Sequence, residues 1–218
     1  AAHDNLTLHD VISQSIRKSS IDARDEIHKR IRLGNAIILT SQGTAFLHAG
    51  QEYGRTKKWN GTGTPAGEHT ITPSGETFIH NSYDASDIIN MFDWKKVIND
   101  TIQRETMEYT KGLIAIRKSS DAFRLKTKAL VDENITLIKS DAIKSKDLVI
   151  GYKCVSTSDE EFYVFINGDN KERILDLEID LTKASILADA KTSGTTPISS
   201  PKGVIITSNS ITISPLTA

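Results

Sequence analysis

Ser41-Gln42-Gly43-Thr44-Ala45-Phe46-Leu47-His48-Ala49-Gly50-Gln51-Glu52-Tyr53-Gly54-Arg55-Thr56-Lys57 is the stretch on which the reading of this chain turns. Its apolar run Thr44–His48 suits a buried strand stopped at Gly50, and the residues after it are turn-forming and charged. Before it, Ile27, Ile31, Asn35 and Ile38 fall on one face of a helix that starts near Asp22. Ser19, Ser20 and Asp22 are its candidate caps, Asp25 and Glu26 suit its first turn, and Gly43 ends it. After it comes a long segment, Tyr53 to Asp93, rich in Gly, Thr, Ser, Asn and Pro, of a length that usually carries function. A second helix is expected between about Asp100 and Lys118, with Ile102, Thr106, Tyr109, Leu113 and Ile116 on its buried face.

Beyond about Phe123 the period changes to two. Expected strands are Ile135–Lys139, Leu148–Val155, Glu161–Asn167, Ile174–Ile179, Ser185–Ala190, Val204–Thr207 and Ser210–Ser214. Leu148, Ile150, Tyr152 and Cys154 share one face of the second. Gly168-Asp169-Asn170 and Thr192-Ser193-Gly194 are turn chemistry. Short strands at this spacing suggest an antiparallel sandwich.

The totals exclude several classes. Lys and Arg number 27 against 28 Asp and Glu, so the chain has no electrostatic grip on nucleic acid or an acidic membrane. The single cysteine, Cys154, rules out an intrachain disulfide. No apolar run reaches the length of a membrane span, and no leader peptide is visible at the start. His3-Asp4 is echoed at His9-Asp10, which invites a metal site. Six residues on a helix turn through about 600°, placing the two on different faces; on a strand they would lie roughly 20 Å apart. The spacing therefore predicts no metal. Gly61-Thr62-Gly63-Thr64-Pro65-Ala66-Gly67 lacks dinucleotide-fingerprint spacing and a following helix, and reads as a mobile loop. Trp94, beside a helix, is expected in the core; Trp59 could be core or contact.

Taken in order, His3-Asp4-Asn5-Leu6-Thr7-Leu8-His9-Asp10, the stretch from Ser41 to Lys57, Asn81-Ser82-Tyr83-Asp84-Ala85-Ser86-Asp87, Asn90 and Asp93-Trp94 form a series. This series resembles the alpha-amylase superfamily of glycoside hydrolases, and within it the type I pullulanases. The resemblance implies α/β plus all-β architecture: the last βα units of a (β/α)8 barrel over residues 1–124, followed by an antiparallel β-sandwich over residues 125–218. His-Asp-Asn would end the seventh barrel strand and Phe46–Glu52 would be the eighth strand and its exit. Both would open on the rim where barrel enzymes place their chemistry.

By the same resemblance Asp4 is the third carboxylate of a retaining glycosidase, an anion that favours the oxocarbenium-like transition state over the neutral substrate. His3, Arg55, Lys57, Asn81 and Tyr83 are the implied substrate-binding residues, with Tyr83 able to stack on a sugar ring. Glu52 is structural or lines the edge of the site. The nucleophile and acid-base, about 5–5.5 Å apart in such enzymes, are expected upstream of residue 1. The chain alone is then expected to be inactive, and either to stay bound to the preceding part of its enzyme or to aggregate. The implied partners are an α-glucan and that N-terminal remainder, with no nucleic acid and no membrane insertion. No cofactor is required, although structural calcium elsewhere in the parent enzyme fits the family. The family also implies secretion or display on a bacterial surface, with the export signal outside this chain. Two other readings compete: a non-catalytic glucan-binding module in the strand-rich tail, and an isoamylase or branching-enzyme relative.

Overall fold

The computed structural model describes residues 4–218. Its helices are α1 (Leu8–Ile16), α2 (Arg24–Thr40), α3 (Asp87–Asn90), α4 (Trp94–Asn99), α5 (Thr101–Ser119) and α6 (Lys128–Asn134). Its strands are β1 (His69–Ile71), β2 (Thr77–Ile79), β3 (Ile135–Leu137), β4 (Val149–Val155), β5 (Glu161–Asn167), β6 (Arg173–Asp176), β7 (Val204–Ile206) and β8 (Ser210–Ile213). They pair as β1-β2, β3-β4-β5 and β6-β8-β7, and every pairing among the described residues is antiparallel. The chain divides into two compact units. The first holds the chain up to Ile31 with Leu47–Met107; the second holds Arg32–Phe46 with Glu108–Ala218.

In the first unit, the Thr7 hydroxyl caps α1 by accepting the Asp10 N–H at 3.3 Å. Ser19 sets the entry to α2, its hydroxyl accepting the N–H groups of Ile21 and Asp22 at 3.1 and 3.2 Å. Ala23, Ile27 and Ile31 then pack against Leu8, Ile12 and Ile16 of α1. Each such aliphatic side chain contributes about 1.5–3 kcal/mol by leaving water. The α5 residue Thr106 is buried; its hydroxyl donates to the Ile102 carbonyl at 2.9 Å and so accepts from His28 Nδ1 at 2.8 Å.

In the second unit the two three-stranded sheets share one apolar cluster, in which Phe165 of β5 meets Leu175 of β6 and Ile211 and Ile213 of β8. A second cluster joins Ile116, Ala122 and Phe123 to Cys154 of β4, with Tyr152 and Phe162 alongside. Tyr109 of α5 is buried, and its hydroxyl donates to the Asp189 carbonyl at 3.0 Å. Burial pushes this phenol well above its usual pKa.

Four expectations are corrected. Thr44–His48 forms no strand: among the described residues it has no ladder partner, and Phe46 is 79% exposed. A strand needs a neighbour to satisfy its backbone, whatever its side chains prefer. Ser185–Ala190 is not a strand either, because the buried Asp189 carboxylate gathers the N–H groups of Lys191, Thr192 and Lys202, each at 2.7 Å, and bends the chain into a turn. On β4 only Tyr152 and Cys154 of the proposed face are covered; Leu148 and Ile150 are exposed. Trp94 is not core but 68% exposed; its ring stands against the half-buried Phe92, which meets the buried Tyr53 edge-on. The hairpin β1–β2, unforeseen, lies inside the long polar segment and buries Phe78 completely.

Candidate functional site

The site is built in the first unit on a turn that only glycine allows. Gly50 lies at φ +94°, and a Cβ there would sit 2.6 Å from Arg55 Cβ; Gly54 lies at φ +79°, with His28 Cε1 at 2.8 Å from such a Cβ. Between them Gln51–Tyr53 make one 3-10 turn, and Glu52 Oε2 accepts the Gly50 N–H at 2.9 Å. Glu52 thus serves the turn. The chain leaves it as an extended segment beside β2, where Ile79 N–H donates to the Lys57 carbonyl at 3.1 Å and Trp59 N–H to the Thr77 carbonyl at 2.8 Å.

Beneath this segment lies Asp10 of α1, fully buried. Its carboxylate accepts the Lys57 N–H at 2.8 Å and the Thr56 hydroxyl, with His9 Nδ1 at 3.0 Å. Lys57, one of the implied substrate-binding residues, lies in the interior. The side chain is 0% exposed, and its ammonium donates to the His80 carbonyl at 2.7 Å and to Ser82 Oγ at 3.4 Å. Burial lowers its pKa, the Asp10 carboxylate opposes that, Arg55 adds to it, and the Asp4 carboxylate opposes it again.

Lys57 therefore reaches the loop that follows β2 from below. Two residues of that loop face solvent. Asn81 and Tyr83 are exposed, Tyr83 to 74%. Asn81 Oδ1 accepts the Tyr83 N–H at 3.0 Å, an Asx turn that fixes where the phenol starts. Asn90 clamps the other end by donating to the carbonyls of Ser82 at 2.7 Å and Ala85 at 3.1 Å. Arg55 completes the network: Nη2 donates to the Ile89 carbonyl at 3.2 Å and to Asn90 Oδ1 at 3.4 Å, and Nη1 donates to His48 Nε2 at 3.1 Å. Burial, then the Arg55 charge, hold the His48 pKa below its usual value, which keeps Nε2 an acceptor.

Asp4 is exposed, and its charge favours the protonated form of Lys57; Arg55 and Lys57 both bond the stretch from His80 to Asn90 that carries Asn81 and Tyr83. His3 lies outside the described residues. No group of three or more His, Cys, Asp or Glu among the described residues could hold a metal ion. Sequence reasoning missed Asp10, His48 and Asn90. The Thr7–Asp10 spacing, a helix-capping signal, was the one available pointer to Asp10. Phe165 is buried, Phe162 packs on Phe123 with ring centroids 5.0 Å apart, and the Tyr152 and Tyr163 hydroxyls bond Thr40 and Glu161.

Comparison with known proteins adds kinship to this geometry. Residues 134–218 match the family described as SpuA C-terminal. Over its full length the chain is 40% identical to Pullulanase A of Streptococcus pneumoniae and covers 19% of it, so it spans about a fifth of the curated relative's length. It is 32% identical over 152 residues to the pullulanase of Bacillus subtilis, matching 70% of this chain and 17% of that one. A solved structure of the Group B Streptococcus pullulanase SAP in complex with maltotetraose superposes on the whole chain with a TM-score of 0.92 at 45% identity, over 30% of its own length.

Proposed function

We propose, from the premise that this chain belongs to the pullulanase family as a homologue of its C-terminal region, that it supplies one wall of the glucan site of a debranching glycoside hydrolase. In this reading the parent enzyme cleaves α-1,6 branch linkages with retention, and the remainder of that enzyme provides the nucleophile and the acid-base. Residues 1–124 are then the last βα units of a catalytic barrel and residues 125–218 its sandwich domain. The unpaired, exposed segment around Phe46 suits a barrel strand whose neighbours come from elsewhere in the same enzyme.

The observation that carries the reading is the buried Lys57 network. A fully desolvated cation tied to the backbone under an exposed Asn81–Tyr83 loop is costly to build and holds that loop in one conformation. Tyr83 offers an apolar face and a hydroxyl to a glucose ring. Arg55, His3 and Asn81 take hydroxyls, and Asp4 steadies the positive charge that develops on the ring. Lys57 acts through the loop and through its field at Asp4, as a positioning residue beneath the sugar. The chemistry needs no cofactor, and any structural calcium belongs elsewhere in the parent enzyme. No helix among the described residues is long and apolar enough to cross a membrane; secretion or surface display enters this reading through the family.

Combining the chain with the preceding part of Streptococcus pneumoniae Pullulanase A, and following reducing ends released from pullulan, tests the proposal. Activity is expected only from the combination. Asp4→Asn is expected to lower turnover at least about a hundredfold, the scale of one lost transition-state contact. Equal turnover with Asp4→Asn, or no hydrolysis from pieces shown to associate, would sink it.

A further inference from the structure

The apolar interior of the second unit is divided. One buried cluster holds Phe165, Leu181 and Ile213, another Ile116, Phe123 and Cys154, where one contiguous core is the ordinary case. A cavity of about 330 Å³ takes its walls from both, with Phe165, Leu181 and Ile213 from the first and Ile116, Phe123 and Leu187 from the second. Every residue that lines it belongs to this unit. The volume falls in the range of small-molecule sites, about 300–1,000 Å³. It is more than twice the roughly 150 Å³ of an apolar cavity that stays dry and takes up benzene. Left empty, such a void forfeits packing on the scale of a domain's whole stability.

The wall selects the ligand. Among the described residues no Lys, Arg, His or Asp lines the cavity, and its one acidic residue, Glu161, is exposed, as is Ser185. The Thr40 hydroxyl is engaged, donating to the Ala36 carbonyl at 2.7 Å and accepting from Tyr152 at 2.5 Å. The Tyr163 hydroxyl donates to Glu161 at 2.5 Å. An ion taken into this interior would have no partner, whereas hydrocarbon needs none. The polar handle comes from the backbone of β5, an edge strand of its sheet. Glu161 to Phe165 line the cavity without a break, and because side chains alternate between faces the cavity runs along the open edge of the strand. On that edge Asn167 exchanges both backbone bonds with Thr217, at 2.8 and 3.1 Å. By alternation Tyr163 and Phe165 turn N–H and C=O the same way, where no backbone group among the described residues meets them. A donor and an acceptor side by side suit a hydroxyl, which is both; a carboxylate only accepts, and it would meet Glu161.

We infer that this cavity binds the alkyl chain of an uncharged amphiphile of the fatty-alcohol class, the chain bridging the two apolar clusters and the hydroxyl resting on the open backbone of β5 at Tyr163. None of the residues assigned to the glucan site takes part. The test titrates the whole 218-residue chain with butanol, hexanol, octanol and decanol in turn, following the methyl NMR signals of Leu187 and Ile213 in the wall. Ile27 and Ile31 of the first unit serve as controls. Affinity is expected to rise about three- to fourfold per methylene and to level off once the cavity is full. Ile206→Ala enlarges the cavity and should carry the rise to a longer alcohol. Ala188→Leu fills it and should weaken octanol at least about tenfold. Octanoate should bind at least about tenfold more weakly than octanol, because it leaves the β5 carbonyl without a donor. Absence of shifts at Leu187 and Ile213 with every alcohol overturns the inference, and so do equal shifts at Ile27 and Ile31. An affinity that climbs without a plateau and is the same in all three chains means association with the surface and also overturns it, as does octanoate binding as tightly as octanol. Should Ala188→Leu fail to fold, the position of the plateau in the unmodified chain and in Ile206→Ala still decides.

Discussion

Replacing Asp10 with Asn changes one atom in a place where both carboxylate oxygens are committed. One oxygen takes the Lys57 N–H at 2.8 Å; the other takes the Thr56 hydroxyl and faces His9 Nδ1 at 3.0 Å. An amide keeps one acceptor and turns an NH2 toward a donor, whichever way it is rotated. A hydrogen bond to a charged acceptor contributes about 1.5–3 kcal/mol, and the donor left behind is fully buried. The substitution also removes the charge that most favours the protonated form of Lys57. Together these give a local cost of about 2–4 kcal/mol. Because the chain has two compact units, a local probe is the sound one. Amide exchange at Lys57 and Ile79 is expected to accelerate roughly 30- to 700-fold, at 1.4 kcal/mol per tenfold. Lys57→Met is expected to accelerate the same amides. A double-mutant cycle between the two should show coupling of at least about 1 kcal/mol. Exchange rates within threefold of the unmodified chain, or strict additivity in the cycle, would refute the view that Asp10 and Lys57 act as one buried support.

Glu76 links the β1–β2 hairpin to the α1–α2 corner, accepting Lys58 Nζ at 2.6 Å, the Ser20 N–H at 2.8 Å and the Ser20 hydroxyl. Burial raises its pKa, but the Lys58 and Ser20 bonds outweigh that and hold it below its ordinary 4.5. Its contribution is therefore complete above 4.5 and is lost as pH falls through the lower folded value. Thermal melts stepped from about pH 6 to about pH 3 should fall more steeply for the unmodified chain than for Glu76→Gln; parallel curves would contradict this. In the second unit, Arg117 donates to the carbonyls of Leu39 at 2.9 Å, Ser41 at 2.7 Å and Gly43, closing the C-terminal end of α2. Arg117→Met should destabilise that unit by about 2–3 kcal/mol, read as a shift in urea midpoint; no shift would mean that water serves these carbonyls equally well.

The parts of the fold that announced themselves in the sequence are those where one periodic face meets one core. Ile27 and Ile31 on α2, and Tyr109, Leu113 and Ile116 on α5, follow the helical repeat and are buried. Six of the seven expected strands formed, at or near their expected bounds, and along β8 the alternation of burial survives intact. The hairpin at residues 69–79 stayed hidden because its strands are three residues each, too short for a period to show, and lie inside a long polar segment; Phe78 and Ile79 anchor it. Asp189 shows the converse: Ser185–Ala190 alternates well enough for a strand, yet one carboxylate collecting three N–H groups overrides side-chain preference. For the proposed site, Asp4, Arg55, Asn81 and Tyr83 were singled out through family likeness alone, since no local pattern marks a polar surface residue as functional.

The residues that hold the site in place resisted sequence reading for an energetic reason. Charged side chains almost always remain at the surface, so nothing in a string of letters marks Asp10 and Lys57 as fully buried. Their burial is affordable only because each polar atom finds a partner: backbone N–H and Thr56 for the carboxylate, the His80 carbonyl and Ser82 for the ammonium. An apolar pair of the same volume would pack at less cost, but it would bond neither the backbone at Lys57 nor the carbonyl at His80. The polar pair ties α1, the segment after the Gly50–Gly54 turn and the Asn81–Tyr83 loop through directional bonds, which fix position where apolar contact fixes only proximity. Stability given up in this way is expected where geometry has to be held to within about half an ångström. That is the physical argument behind the proposal that the Asn81–Tyr83 loop, held by Lys57, meets a sugar.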